Sequence, residues 1–339
     1  MTRRYSAAAT RATDPDEAFW KLVLDFLRPA EGRLARAFQR AVREARAGIL
    51  ADDIALLIRA GDLDAAVTLM LGPGVANQSL FIGLRIAVAE AALNTATAMS
   101  AGTLKVGLGT MPGSVLLDTL SPHVVSAIRT ATMASVQDVT NTTRAALRTT
   151  LHDTMVAGLH PYESVHRMTG VLGLTDRDAI AVRNYRRELE TGSGASVNRA
   201  LRDKRLSVGR ELSADEVERR VAGYADRLLR HRAETISITE AARAFNIGQH
   251  IAWTEAARHG RVEPQYIRRK WLIAPDERTC PVCRAIVDLN ADGVGVNEPF
   301  QTPDGPYLMP PKHPRCRCVV ILDVKLTDLV YDMERARNG

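Results

Sequence analysis

All four cysteines of this 339-residue chain fall between positions 280 and 318, and the 279 residues before them contain none. They form two clusters, Cys280-Pro-Val-Cys283 and His313-Pro-Arg-Cys316-Arg-Cys318, with 32 residues between Cys283 and Cys316. A Cys-x2-Cys spacing lets both thiolates point at one ion, and two such loops are how a tetrahedral zinc is usually assembled. Cys280, Cys283, His313, Cys316 and Cys318 are therefore candidate metal ligands, one more than structural zinc needs. The spacing does not say which is spare. The same residues also fit buried free thiols or disulfides. A redox Cys-x2-Cys would leave the second cluster without a purpose.

Upstream of this cluster the chain is patterned for helices. Alanine is abundant in nearly every stretch before residue 260, and aromatics make up only 5%; alanine is the best helix former. A helix opens at Asp14-Pro15, and Pro29 is expected to kink or end it; a second covers residues 32–47, and two short ones cover 51–71. Longer helices follow over 77–101 and 121–157, separated by a glycine-rich loop. Further ones cover 161–171, 176–190 and 213–259. After Arg261 the texture changes: Tyr266–Ile273 and Cys318–Leu322 read as strands, with six prolines between 299 and 314. The expected fold class is mainly α: multi-helix N-terminal and central regions, then a small C-terminal α+β unit with Cys/His-clustered loops. The expected boundaries are a flexible tail (1–13), an N-terminal helical region (14–72), a central helical domain (73–230), the α+β unit with its preceding helix (231–325), and a C-terminal tail (326–339).

Apolar residues make up 46% and charged residues 25%, a globular composition that argues against a wholly disordered chain. The first residues lack an apolar signal core, and the most apolar helix, 81–99, carries Arg85 and Glu90. Neither a secretory signal nor a membrane span is expected, so the chain should stay soluble in the cytoplasm. The net charge of +6 is patchy: 13 Lys/Arg stand against 8 Asp/Glu over 183–232, and 5 against 1 over 258–270. Arg199, Arg202, Lys204, Arg205, Arg268, Arg269 and Lys270 are thus candidate phosphate contacts for sequence-independent DNA binding, with solvated helix faces as the alternative.

Two acids stand out. Ile236, Glu240, Ala244, Ile247 and Ile251 define one helix face, which places Glu240 in an apolar stripe where an unpaired carboxylate is costly. It should pair, with Arg278, Arg315 and Arg317 as candidate partners, unless the stripe is shallow and Glu240 reaches water. Asp276 is positioned to cap a short turn that presents Cys280 and Cys283.

The run Arg232-Ala-Glu-Thr-Ile-Ser-Ile-Thr-Glu240, continued to Asn246, resembles a signature helix of the Mu F-like head morphogenesis family of tailed phages. Lys270-Trp271, Asp276–Cys283 and Pro310–Cys318 resemble the rest of that signature, in the same order. One departure is Ile238, where family members often carry arginine. The resemblance implies a minor head (minor capsid) protein, associated with the portal and other head or scaffold proteins during procapsid assembly in the host cytoplasm. It would then reside inside the virion head, with a role in DNA packaging or delivery. No enzymatic activity is expected. A zinc-dependent nuclease would need histidines beyond His313 in the C-terminal unit, and no ADP-ribosyltransferase residue set is present.

Overall fold

The computed structural model describes residues 17–72, 81–101, 118–119, 121–191, 212–260, 263–274 and 280–324. The candidates Arg199, Arg202, Lys204, Arg205, Asp276 and Arg278 lie outside the described residues, as do both tails and the glycine-rich loop after residue 101. The order is α1 (Glu17–Ala47), α2 (Ala51–Arg59), α3 (Leu63–Met70), α4 (Ile82–Ser100), α5 (Pro122–Val156), α6 (Pro161–Val171), α7 (Asp176–Thr191) and α8 (Ala214–Arg258). A 3-10 turn (Pro264–Tyr266), β1 (Ile267–Leu272), α9 (Pro281–Leu289) and β2 (Val319–Val324) follow. The chain is mainly α, with its described sheet near the C-terminus.

Pro29 neither ends nor divides the first helix: α1 runs through it. Proline removes one backbone hydrogen bond and costs a helix interior about 3 kcal/mol. Against that, Val23, Leu27 and Leu34 along the same helix are fully buried, at about 1.5–3 kcal/mol each. Burial outweighs the local penalty. Asp62 caps α3 by accepting from the Ala65 amide at 3.0 Å, and Pro161 occupies the first turn of α6, both as helix-terminus chemistry requires.

The chain forms two compact units. One comprises residues 35–86 and 133–234. Its core includes Phe38 stacked on Phe81 with ring centroids 5.4 Å apart, and Gly173 at φ +89°, where an added Cβ would meet Val42 Cγ2 at 2.6 Å. The other comprises residues 1–34, 87–132 and 235–339. Here α8 crosses α4 so closely that a Cβ on Gly248 would lie 2.4 Å from the Ala92 carbonyl oxygen. β1 and β2 pair antiparallel, from Ile267 opposite Val324 to Leu272 opposite Val319. This pairing closes the loop that carries every cysteine.

Candidate metal centre

The centre is built by three pieces of chain. Cys280 is the N-cap of α9, extended at φ −76°, ψ 155°, and Pro281 takes the first helical position. That start turns Cys283 back beneath Cys280, whose sulfur accepts from the Cys283 amide at 3.4 Å. The second piece, His313 to Cys316, turns sharply: Arg315 has φ 62° and the Cys316 amide donates to the His313 carbonyl at 3.2 Å. The third is Cys318, the residue before β2.

These turns bring the five ligating groups together. His313 Nε2 lies 3.0 Å from Cys280 Sγ and 3.2 Å from Cys283 Sγ, and Cys283 Sγ lies 3.9 Å from Cys316 Sγ. Two sets, Cys280–Cys283–His313 and Cys283–Cys316–Cys318, each have all their ligating atoms within 4.8 Å of one another. Cys283 belongs to both. Around tetrahedral zinc with Zn–S bonds of about 2.3 Å, neighbouring sulfurs stand about 3.8 Å apart, so the observed 3.9 Å between Cys283 and Cys316 fits. The cluster can hold a metal ion. Cys283, Cys316 and Cys318 are buried with Trp271, Ile286, Phe300 and Val320. Hydrogen bonding to Cys316 and Cys318, reinforced by burial, pushes the Cys283 thiol up, whereas hydrogen bonds from Cys283 and Cys318 hold Cys316 far below the usual thiol range. A cation would replace that shared proton.

α8 anchors the centre from behind. Thr239 Oγ1 accepts from the Arg315 amide at 2.9 Å and Thr235 Oγ1 from the Arg315 guanidinium at 3.3 Å. Asn246 accepts from the Val320 amide at 2.8 Å and donates to the Cys318 carbonyl at 3.3 Å. Thr235, Thr239 and Asn246 share one helix face, and none was picked out by the apolar-stripe argument. Their signal was a polar residue recurring at helical spacing in a stretch otherwise rich in buried alanine.

Glu240 is buried, as the stripe implies. It accepts from Arg243 on its own helix at 3.1 Å. Arg317, one of its candidate partners, pairs with Glu31 of α1 at 3.3 Å. Of the three consecutive basic residues in β1, Arg269 is 2% exposed and points inward. Its guanidinium donates to the carbonyls of Gly295 at 3.1 Å, Leu308 at 3.0 Å and Glu298 and stands over the Phe300 ring. At that burial the guanidinium is turned away from the surface a phosphate would reach. Arg268 and Lys270 alternate onto the other, less buried face.

The other unit contains a cavity of about 390 Å³ beside Arg186 and Glu218. Two of its arginines are held by acids that also line it: Arg186 pairs with Glu218 at 2.5 Å and Arg183 with Asp153 at 2.5 Å. Arg186 holds the Glu218 carboxyl below its ordinary range, with His166 adding to the effect from 2.7 Å.

Residues 185–321, which include the anchoring part of α8 and all five ligating residues, match the family described as Phage Mu protein F like protein. Over that stretch the chain is similar to this family. The Mu F-like region begins within α7 and ends in β2. No curated protein and no solved structure matches the chain. Among the described residues no helix is long and apolar enough to cross a membrane.

Proposed function

We propose that this chain is a minor head protein of a tailed phage that serves as an assembly part rather than an enzyme. It would join the portal and other head proteins as the procapsid forms in the host cytoplasm, and remain in the virion head, where DNA packaging or delivery takes place. The observation that carries this reading is the coincidence of the Mu F-like region with a partly buried Cys/His cluster fastened to α8. Structural zinc sites are closed, whereas catalytic ones keep a position open for water. Five ligating groups more than fill a tetrahedron, so a bound zinc would supply cross-linking of two loops rather than Lewis acidity. Cys280 and Cys283 would fix the start of α9, and ligands from the segment His313 to Cys318 would fix the approach to β2.

Mass spectrometry of purified heads, with and without portal, tests the role. The chain should be a low-copy component that copurifies with portal, and its absence from heads overturns the assignment. Contact with DNA is the competing use of Arg268 and Lys270. Titration of the purified chain with duplex DNA at several salt concentrations separates the two, since phosphate contacts weaken steeply with salt.

A further inference from the structure

Structural zinc takes four protein ligands, and five converge here. We propose that the four are Cys280, Cys283, His313 and Cys316, and that Cys318 is a buried thiol outside the coordination shell, kept beside the Trp271 indole. This rests on the zinc reading above and goes past it by assigning each ligand.

The assignment follows from the shape of the two turns. Cys280-Pro281-Val282-Cys283 and His313-Pro314-Arg315-Cys316 have the same plan: a ligating residue, a proline, one further residue, then cysteine. Each closes on itself through the amide of its cysteine, at 3.4 Å to Cys280 Sγ and 3.2 Å to the His313 carbonyl. Contacts of 3.0, 3.2 and 3.9 Å among the ligating atoms join one turn to the other. The histidine is oriented for the task. His313 Nδ1 lies 2.9 Å from the Pro314 carbonyl, which places the ring proton on Nδ1 and leaves the Nε2 lone pair facing both α9 thiols. This is the second-shell arrangement that fixes the tautomer of metal-binding histidines.

Cys318 belongs to neither turn. Its carbonyl is held by Asn246 at 3.3 Å, and its side chain is buried in the same apolar cluster as Cys283 and Cys316, beside Trp271, Phe300 and Val320. The buried Trp271 indole N–H has no hydrogen-bond partner among the described residues. Cys318 lies within 4.8 Å of Cys283 and Cys316, so it is the competitor the experiment must separate.

The test uses the full-length chain loaded with Zn²⁺ or Co²⁺, read by native mass spectrometry and by the thiolate-to-cobalt charge-transfer band. Cys318→Ser and Cys318→Ala should each retain one metal per chain and the wild-type cobalt spectrum. Cys316→Ser and His313→Ala should weaken metal binding by about tenfold or more, as expected when a coordination position is lost. Loss of metal from a Cys318 variant that keeps its circular dichroism spectrum, or loss of about a third of its charge-transfer intensity, would make Cys318 a ligand and overturn the assignment. A wild-type chain that takes up no metal would sink the zinc reading itself, and is told apart because no variant is needed to see it.

Discussion

The buried guanidinium of Arg232 donates a 2.8 Å hydrogen bond to the carbonyl of Gly173. It also reaches the Val139 carbonyl at 3.1 Å and the hydroxyls of Thr142 at 2.6 Å and Thr143 at 3.3 Å, and it stands over the Phe38 ring. Burial pulls its pKa down to about 10, which leaves it charged at neutral pH. One arginine thus ties α5, the turn after α6 and α8 within a single unit.

Replacing that arginine should be severe. Arg232→Met strands the Gly173 carbonyl, while Thr142 and Thr143 keep their bonds to the Asp138 and Val139 carbonyls, and Arg232→Lys cannot span the same fork. Each should lower unfolding stability by about 1–3 kcal/mol. Urea denaturation followed by circular dichroism measures it, and a midpoint within error of wild type would refute the structural role.

Two glycines of α8 should respond to the same substitution with opposite sign. Gly248→Ala drives a Cβ into the Ala92 carbonyl, which is backbone and cannot swing away, so a loss of about 1–3 kcal/mol is expected. Gly223 has nothing within 4 Å of a new Cβ, and alanine there should add about 0.5–1 kcal/mol through helix propensity. Thermal melts of the two variants side by side decide the matter.

Acid should destabilise the chain through His250. Burial, then the nearby charges of Arg269 and His123, lower its pKa to about 4 from an ordinary 6.5. Between those values the unfolded chain binds a proton that the folded chain does not, so stability is full above pH 6.5 and falls as pH drops toward 4. The increment at pH 5 relative to neutral pH is up to about 2 kcal/mol. The difference in urea midpoint between pH 7.5 and pH 5 should shrink in His250→Gln; an unchanged difference would dismiss the histidine as its source.

Metal removal should act locally. A strong chelator, or Cys283→Ser, should expose residues after 261 to proteolysis while far-ultraviolet helicity falls little, because the ligating loops and β2 depend on the clip and the long helices do not. A chelated chain as protease-resistant as the untreated one would count against a structural ion.

Helix positions were legible because alanine content and apolar spacing are local signals, and the spans over 161–171 and 214–258 follow them closely. Pro29 misled because its penalty is local whereas the burial of Val23, Leu27 and Leu34 is tertiary. The convergence of Cys280, Cys283 and His313 was readable from spacing. The partner of Arg317 was not, since Glu31 lies 286 residues away and no local pattern links them. Arg269 looked like one of three equivalent cations, but strand alternation, once the strand is in place, turns it inward to three carbonyls.

The Asn246 bond to Val320 bears on the fate of the last strand. In the antiparallel pair an amide that β1 does not use points to the opposite edge, and there Asn246 takes it up. Val319-Val-Ile-Leu-Asp-Val324 is apolar and β-branched, the kind of segment that recruits a copy of itself when its edge is bare. A side-chain amide from a helix therefore acts as a chain terminator for cross-strand growth. In Asn246→Ala, rising light scattering at high protein concentration should appear before any drop in helicity.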